Sequence, residues 1–456
     1  MDANDIDCSV VAAPDPTGEL RRVEHALAAR WPESDIEPSL EPTRALTNSL
    51  GDPQRAYPVI HITGTNGKTS TARMVDALLQ AFGLRVGRFT SPHLESITER
   101  ITIDGEPLSP SAFAAAYDEI APFVDLVDKG HDHPMSFFEV ITAMAFATFA
   151  DAPVDVAVIE VGLGGSWDAT NVADGQVAVI TPISLDHTRL LGPTLTSIAT
   201  EKAGIIKPGA TAVTALQPAE AAEVLLHRAL AVDASVAREG LEFGVVSRAV
   251  AVGGQSLTLQ GLGGLYDDIF LSLFGAHQAA NAAAALAAVE AFFGGGVHGR
   301  VDIDAVREGF AAVSSPGRLE PVRSAPTVLV DAAHNPGGMT ATVAAVQDAF
   351  DFRRLIAVVA VLAEKDVRGI LEALEPAVDA IVVTENSSPR CMPVDELAAV
   401  AVAVFGAERV DVTPRLDDAL EAAVALAEEE GSLSGVGVLV TGSVVTAGEA
   451  RQLLRR

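Results

Sequence analysis

The chain has 456 residues, enough, at roughly 150 residues per domain, for two or three domains with cores of their own. Lys plus Arg number 31 against 61 Asp plus Glu, a formal charge of −30, and such a field repels phosphate backbones, so no nucleic-acid partner is expected. A hydrophobic fraction of 49% beside 20% charged residues suits a folded protein rather than an acidic disordered one. Cys8 and Cys391 are the only cysteines, which argues against a disulfide scaffold and a cysteine metal site and for a reducing compartment. The opening MDANDIDCSVV lacks a basic stretch followed by an apolar one, and no apolar run reaches the length of a membrane span. The expectation is a cytoplasmic, unprocessed monomer without a membrane partner. Only five of the basic residues are lysines (Lys68, Lys129, Lys202, Lys207 and Lys365), so a lysine inside a motif reads as chosen for its own chemistry.

In chain order, the first fifty residues are polar and proline-rich, with one helical stretch at 18–30. From residue 57 the pattern becomes strand, turn and helix: YPVIHIT is a buried strand, GTNGK a turn, and 69–82 a helix stopped by Gly83. VGRFT follows as a second strand, Ser109-Pro110 opens a helix, and Ser136 with Glu139 forms a capping box on the next. VDVAVIEV and VAVIT are continuous apolar strands of the kind covered on both faces in a parallel sheet. Between 240 and 275, SLTLQ and IFLSLF suit antiparallel strands of a small β appendage. An alanine-rich helix at 278–292 and a Ser-Ser-Pro-Gly linker at 314–317 come next. TVLVDAA, LIAVVAVL, AIVVTE and GVLVTG then restart the alternation. An α/β protein is expected, with residues 1–314 forming a phosphate-loop domain and residues 315–456 a smaller doubly wound domain.

Gly64, Thr65, Asn66, Gly67, Lys68 and Thr69 sit where a strand ends and a helix begins, where backbone N–H groups and the helix dipole hold a polyphosphate. Lys68 would reach the terminal phosphates, Thr69 would ligate Mg²⁺, and Ser70 follows. Ile62 stands where the usual pattern has its first glycine, so the loop is a variant shortened at its front. Glu160 ends a strand before Gly162-Leu163-Gly164-Gly165, a flexible loop at the sheet edge where ligands of open α/β sheets bind. The stretch fails as a dinucleotide fingerprint because Trp167 to Asn171 does not continue as an apolar helix. Asp186-His187 ends the next strand, and its imidazole suits a metal or a substrate. Spacing alone makes Lys202 an ordinary surface cation. In the second half, Asp331 to Gly338 (DAAHNPGG) reads either as an Asx-rich turn or as a group of acid, imidazole and amide facing an interdomain cleft.

HITGTNGKTS, FTSPHLESITERI, FFEVITAMAF, EVGLGGSWDATN, SLDHTRLLGPTLTSIATEKAGIIKPG, GAHQAANAAAAL, GRLE and DAAHNPGG together resemble the ATP-dependent amide ligases of the Mur ligase superfamily. The likeness is strongest to folylpolyglutamate synthase and its bifunctional relative dihydrofolate synthase, because SPHL and ITERI look like the folate-family loop. A cell-wall ligase of the Mur type is the nearest alternative, but only about fifty residues precede the phosphate loop, too few for a uridine-nucleotide domain. A non-catalytic ATP switch would leave SPHL and Lys202 without a purpose.

The resemblance implies ATP and Mg²⁺ as cofactors, and a folate or dihydropteroate with L-glutamate as substrates. It implies further that Ser91, Glu160 and His187 join Thr69 at the metal, with Asn281 at adenine, Arg318 at the phosphates and Asp331 at the ribose. Lys202 would be carbamylated by CO₂ and share the metal, and His334 would lie beside the reacting group. Pro92, His93, Arg100, Phe137, Phe138 and Asp168 would meet the folate, with Asp168 at the pterin nitrogens.

Overall fold

The computed structural model describes residues 16–31, 38–296, 299–428 and 435–455. Cys8 and the opening stretch read for a leader lie outside them. Among the described residues, no helix is long and apolar enough to cross a membrane.

Eight strands form the first sheet: β1 (Val59–Thr63), β2 (Val86–Phe89), β3 (Ile101–Ile103), β4 (Glu106–Pro107), β5 (Val156–Glu160), β6 (Gly175–Ile180), β7 (Thr211–Thr214) and β8 (Ser235–Arg238). Their order is β4-β3-β2-β5-β1-β6-β7-β8, parallel from β2 to β8 and antiparallel at β3 and β4. β1 and β5 are buried along their whole length, as continuous apolar runs require when helices cover both faces. β1 thus sits in the middle of the sheet, and the phosphate loop leaves its carboxyl end. The helix that follows, Lys68–Ala81, begins one residue before the sequence reading, with Gly67 at its N-cap.

β9 (Gly244–Ala251), β10 (Gly254–Gln260) and β11 (Leu265–Leu271) form the expected antiparallel sheet. It is less of an appendage than expected, because Leu257, Leu259, Tyr266 and Ile269 share one core with Ile60, Ile62 and Leu78 of the main domain. Helix Ala276–Phe292 belongs to the same core and buries twelve of its residues, most of them alanines, whose small side chains let it pack closely on helix Lys68–Ala81. The amino-terminal helices Pro16–Ala28 and Glu41–Ser49 close the opposite face, where Val23, Leu27 and Leu46 pack with Phe113, Ile120 and Phe146.

The second half has its own sheet: β12 (Glu320–Ser324), β13 (Thr327–Val330), β14 (Arg354–Val359), β15 (Ala380–Val383), β16 (Val410–Val412) and β17 (Val436–Thr441). The order is β12-β13-β17-β14-β15-β16, with only β12 antiparallel. Its core is mainly aliphatic, with Phe405 among its buried residues and Leu94 and Phe274 of the first domain packed against it. The loop after β13 carries Asp331 to Asn335 toward the phosphate loop of the first domain.

Candidate active site

A cavity of about 2090 Å³ lies between the two sheets and is lined by both domains. Gly67 shows why the phosphate loop needs its glycines: its φ is +90°, and a Cβ there would lie 2.6 Å from the Asn281 side-chain oxygen. Asn281 is therefore packed against the loop, held by a 3.1 Å hydrogen bond from its amide to Gln278. Lys68 folds back on its own loop, donating to the carbonyls of Gly64 at 3.2 Å and Thr65 at 3.3 Å. Burial lowers its pKa, and the nearby Glu160 carboxylate works against that shift. Ser70 turns away, toward Gln278 at 3.3 Å and Ser315 at 3.4 Å.

Glu160 accepts a 2.9 Å hydrogen bond from the Thr69 hydroxyl and one of 3.3 Å from the Ser91 main-chain N–H. Burial raises its pKa, opposed first by Lys68. A desolvated carboxylate touching a hydroxyl at a phosphate loop is a hard-oxygen pair of the kind Mg²⁺ uses together with phosphate oxygens. His187 is placed differently: its Nε2 lies 3.3 Å from the Lys365 ammonium. Among the described residues, no three His, Cys, Asp or Glu side chains gather into a metal cage, and the Thr69–Glu160 pair is the oxygen pair in direct contact at the loop.

Lys202 is not the surface cation its spacing suggests. It is 3% exposed and donates to the Gly64 carbonyl at 2.7 Å. Burial, and then the charge of Lys68, lower its pKa to about 7. The glycine loop beside it is closely packed. Cβ atoms at Gly162 and Gly165 would strike the Phe138 ring at 2.5 Å and the Glu201 carbonyl at 2.6 Å, so these glycines are small because of close approach.

Asp168, expected at the pterin, uses its carboxylate within the chain, accepting from the N–H groups of Leu163 at 2.8 Å and Thr170 at 3.0 Å and from the Thr170 hydroxyl at 2.5 Å. Thr170 in turn lies 2.9 Å from the fully buried His61. In the SPHL loop, Glu99 accepts from the main-chain N–H groups of Leu94, Glu95 and Ser96 at 2.9, 3.0 and 2.9 Å. That loop sets His93 to accept from Arg100 Nε at 2.9 Å, while the Arg100 guanidinium lies 4.8 Å from the centroid of Phe137. Pro92, Phe137 and Phe138 line the same cavity.

The carboxyl-terminal domain closes the site. Asn335 and Asn66 exchange amide hydrogen bonds of 3.0 and 3.3 Å across the cleft. Asn335 also donates to Asp186 at 3.1 Å, and Lys365 does so at 2.8 Å. His334 donates from Nδ1 to the Ala332 carbonyl at 3.0 Å. Burial, then Lys365, lowers its pKa to about 4, so at neutral pH its Nε2 is an acceptor. Asp331 accepts from Ala333 and Thr342 at 2.9 and 2.8 Å and from the Leu319 N–H at 2.9 Å. It thereby pins the residue after Arg318, which faces the cavity. Asn335 entered the sequence reading only as the amide of the DAAHNPGG group facing the cleft, and Lys365 had no role in it beyond its scarcity. The lysine scarcity noted there was a signal for Lys365, but nothing local pairs it with Asp186.

Residues 62–289 match the Mur ligase middle domain and residues 317–444 the Mur ligase glutamate ligase domain. The dihydrofolate synthase/folylpolyglutamate synthase of Mycobacterium tuberculosis is 55% identical over 98% of this chain and 96% of its own. The M. tuberculosis folylpolyglutamate synthase complexed with ADP superposes with a TM-score of 0.93 at 55% identity, covering 97% of this chain and 99% of that one. An FPGS-AMPPCP-folate complex superposes with a TM-score of 0.83 at 30% identity, over 95% of this chain and 99% of that one. The chain belongs to the Mur ligase family, in its folylpolyglutamate synthase branch.

Proposed function

We propose that the protein uses ATP to join L-glutamate to the carboxylate of folates, and that it accepts dihydropteroate as well. The observation that carries this reading is the convergence of Lys68, Thr69 and Glu160 from one domain with His334 and Asn335 from the other on one cavity. That cavity is continuous with the Phe137, Phe138 and Arg100 wall. The family relationship supports it over a cell-wall ligase, since the relatives above are named for folates.

A carboxylate is a poor acyl donor because attack by an amine would have to expel oxide. Transfer of the ATP γ-phosphoryl group to the carboxylate gives an acyl phosphate and ADP. The glutamate amine then adds to the carbonyl carbon, and the tetrahedral intermediate releases phosphate to leave an amide. Lys68 and the loop N–H groups hold the phosphates, and Arg318, positioned by Asp331, adds a second cation as charge shifts in transfer. Thr69 and Glu160 would hold Mg²⁺, which would supply further neutralisation of the phosphates. Asn281 packs beside the loop where the nucleotide base would leave it. His334 lies at the closing face, next to the acyl phosphate, and the Asn66–Asn335 pair holds the domains together to exclude water from that intermediate.

Lys202 has the chemistry for a carbamate: a neutral amine adds CO₂ and releases one proton, and burial with Lys68 leaves about half of this amine neutral near pH 7. The product replaces a buried cation with a carboxylate-like group beside the phosphate loop, where it would help to hold the metal. Arginine could not form it. The functional reading is tested by glutamate-dependent ADP release with tetrahydrofolate and dihydropteroate supplied separately. Release with both is expected; release with neither, or release that does not need glutamate, overturns it.

A further inference from the structure

Trp31 and Trp167 are the only tryptophans in the chain, and both line the cavity. Trp31 lies ahead of the residues that match the ligase domains, which begin at residue 62. Its placement is nonetheless well supported. The Trp31 carbonyl accepts from Phe137 N–H at 3.1 Å, and Trp31 forms a parallel bridge with Ser136. The preceding Arg30 donates to the Met135 carbonyl at 2.9 Å and pairs with Asp128 at 2.6 Å. The indole stacks on His133, with ring centroids 4.7 Å apart and planes 30° apart.

A continuous wall leads from the phosphate loop to this stack. Glu160 is buried at its inner end, Gly162 lies under the Phe138 ring, Phe137 follows with Arg100 over its face, and Trp31 is bridged to Ser136. Exposure rises along it, from 1% at Glu160 to the half-buried Phe138, Phe137, Trp31 and His133. The inner end fixes where the reacting carboxylate must sit, whatever the acceptor. Dihydropteroate presents a carboxylate on its aminobenzoyl ring, whereas a folate presents the γ-carboxylate of an added glutamate. With the carboxylate fixed, the fused ring of the longer acceptor must lie about one glutamyl residue farther out.

We propose that the Trp31–His133 stack is the outer seat, taken by the pterin ring of acceptors that already carry glutamate, and that Trp31 therefore determines specificity between the two acceptors. This rests on the function proposed above. A flat heterocycle stacks well on an indole, while the shorter acceptor ends at Phe137 and Phe138 and leaves Trp31 untouched.

The test is calorimetric binding of tetrahydrofolate and of dihydropteroate to wild type, Trp31→Ala and Trp31→Phe in the presence of a non-hydrolysable ATP analogue. Trp31→Ala should weaken tetrahydrofolate about tenfold and dihydropteroate less than twofold, and Trp31→Phe, which keeps a ring, should restore most of the loss. In a Trp167→Phe background, tetrahydrofolate should change the fluorescence of Trp31 and dihydropteroate should not. Equal effects on both acceptors, or none on either, overturn the proposal. Glutamate-dependent ADP release by wild type separates the two questions: its absence with both acceptors defeats the ligase reading, whereas its presence with Trp31 indifferent defeats only the outer seat.

Discussion

Lys365 of the carboxyl-terminal domain holds its ammonium 2.8 Å from the Asp186 carboxylate of the amino-terminal domain, and both side chains are about nine-tenths buried, at 8% and 11% exposed. Burial by itself would raise the Asp186 carboxyl, but the neighbouring His187, Lys365 and His334 outweigh it and hold the group below the usual carboxylate range. Burial, with Lys365 next, brings the His187 pKa down to about 4, and that of His334 likewise. Of these neighbours Lys365 lies nearest the Asp186 carboxylate, at 2.8 Å against 3.9 Å for His187 and 3.8 Å for His334. One ion pair ties together the two halves of the site.

Removing Lys365 leaves Asp186 buried without its cation. Lys365→Met should cost about 3 kcal/mol in the closed arrangement, at the low end for a broken buried pair, and lower kcat/KM roughly 150-fold. Adding Asp186→Asn should cost little more, because the pair is already lost. Steady-state kinetics on the two singles and the double variant check this; additive losses would show that the residues act separately.

Lys68→Ala should reduce ligation with every acceptor to below a tenth of wild type while leaving the far-ultraviolet circular dichroism unchanged. The side chain reaches only carbonyls of its own loop, so its loss removes a phosphate contact and no core packing. Activity above that level would remove Lys68 from the phosphate site.

For Lys202, Ala should abolish turnover, and a small carboxylate added to the buffer should partly restore it by standing in for the carbamate. Exhaustive removal of CO₂ from wild type should lower activity reversibly, with bicarbonate bringing it back. A wild-type rate indifferent to CO₂ contradicts the adduct.

His61 gives a pH dependence of stability. Burial, with a smaller push from Lys207, lowers its native pKa from the ordinary 6.5 to about 3. Below pH 6.5 the unfolded chain takes up a proton that the native chain refuses, so stability falls as pH falls through this window and is unaffected above it. Between pH 7 and pH 5 the loss should be about 2 kcal/mol. Urea midpoints of wild type and His61→Gln at the two pH values should show the variant losing less by that amount; parallel losses would assign the effect elsewhere.

What could be read in advance follows from how local the physics is. The strands at 57–63 and 154–161 were legible because both-face burial writes itself as a continuous apolar run, and helix Phe137–Asp151 because Ser136 and Glu139 form a capping box within four residues. The phosphate loop is equally local. Lys202 misled because its burial depends on the Gly64 carbonyl, 138 residues away in the chain. The partners of Asp168, Leu163 and Thr170, are near in sequence, but no local pattern announces the turn that aims them at its carboxylate. The Lys365–Asp186 and Asn335–Asn66 contacts join residues 179 and 269 positions apart, and no pattern within one segment encodes such a meeting.

In the proposed reaction the acceptor carboxylate is activated as an acyl phosphate between these two domains. The most direct measurement of this step uses folate labelled with ¹⁸O in the reacting carboxylate, with ATP and glutamate, followed by mass analysis of the phosphate released. One ¹⁸O is expected in each phosphate formed alongside amide, with loss of that transfer in Lys68→Ala. Amide formation with unlabelled phosphate would contradict it.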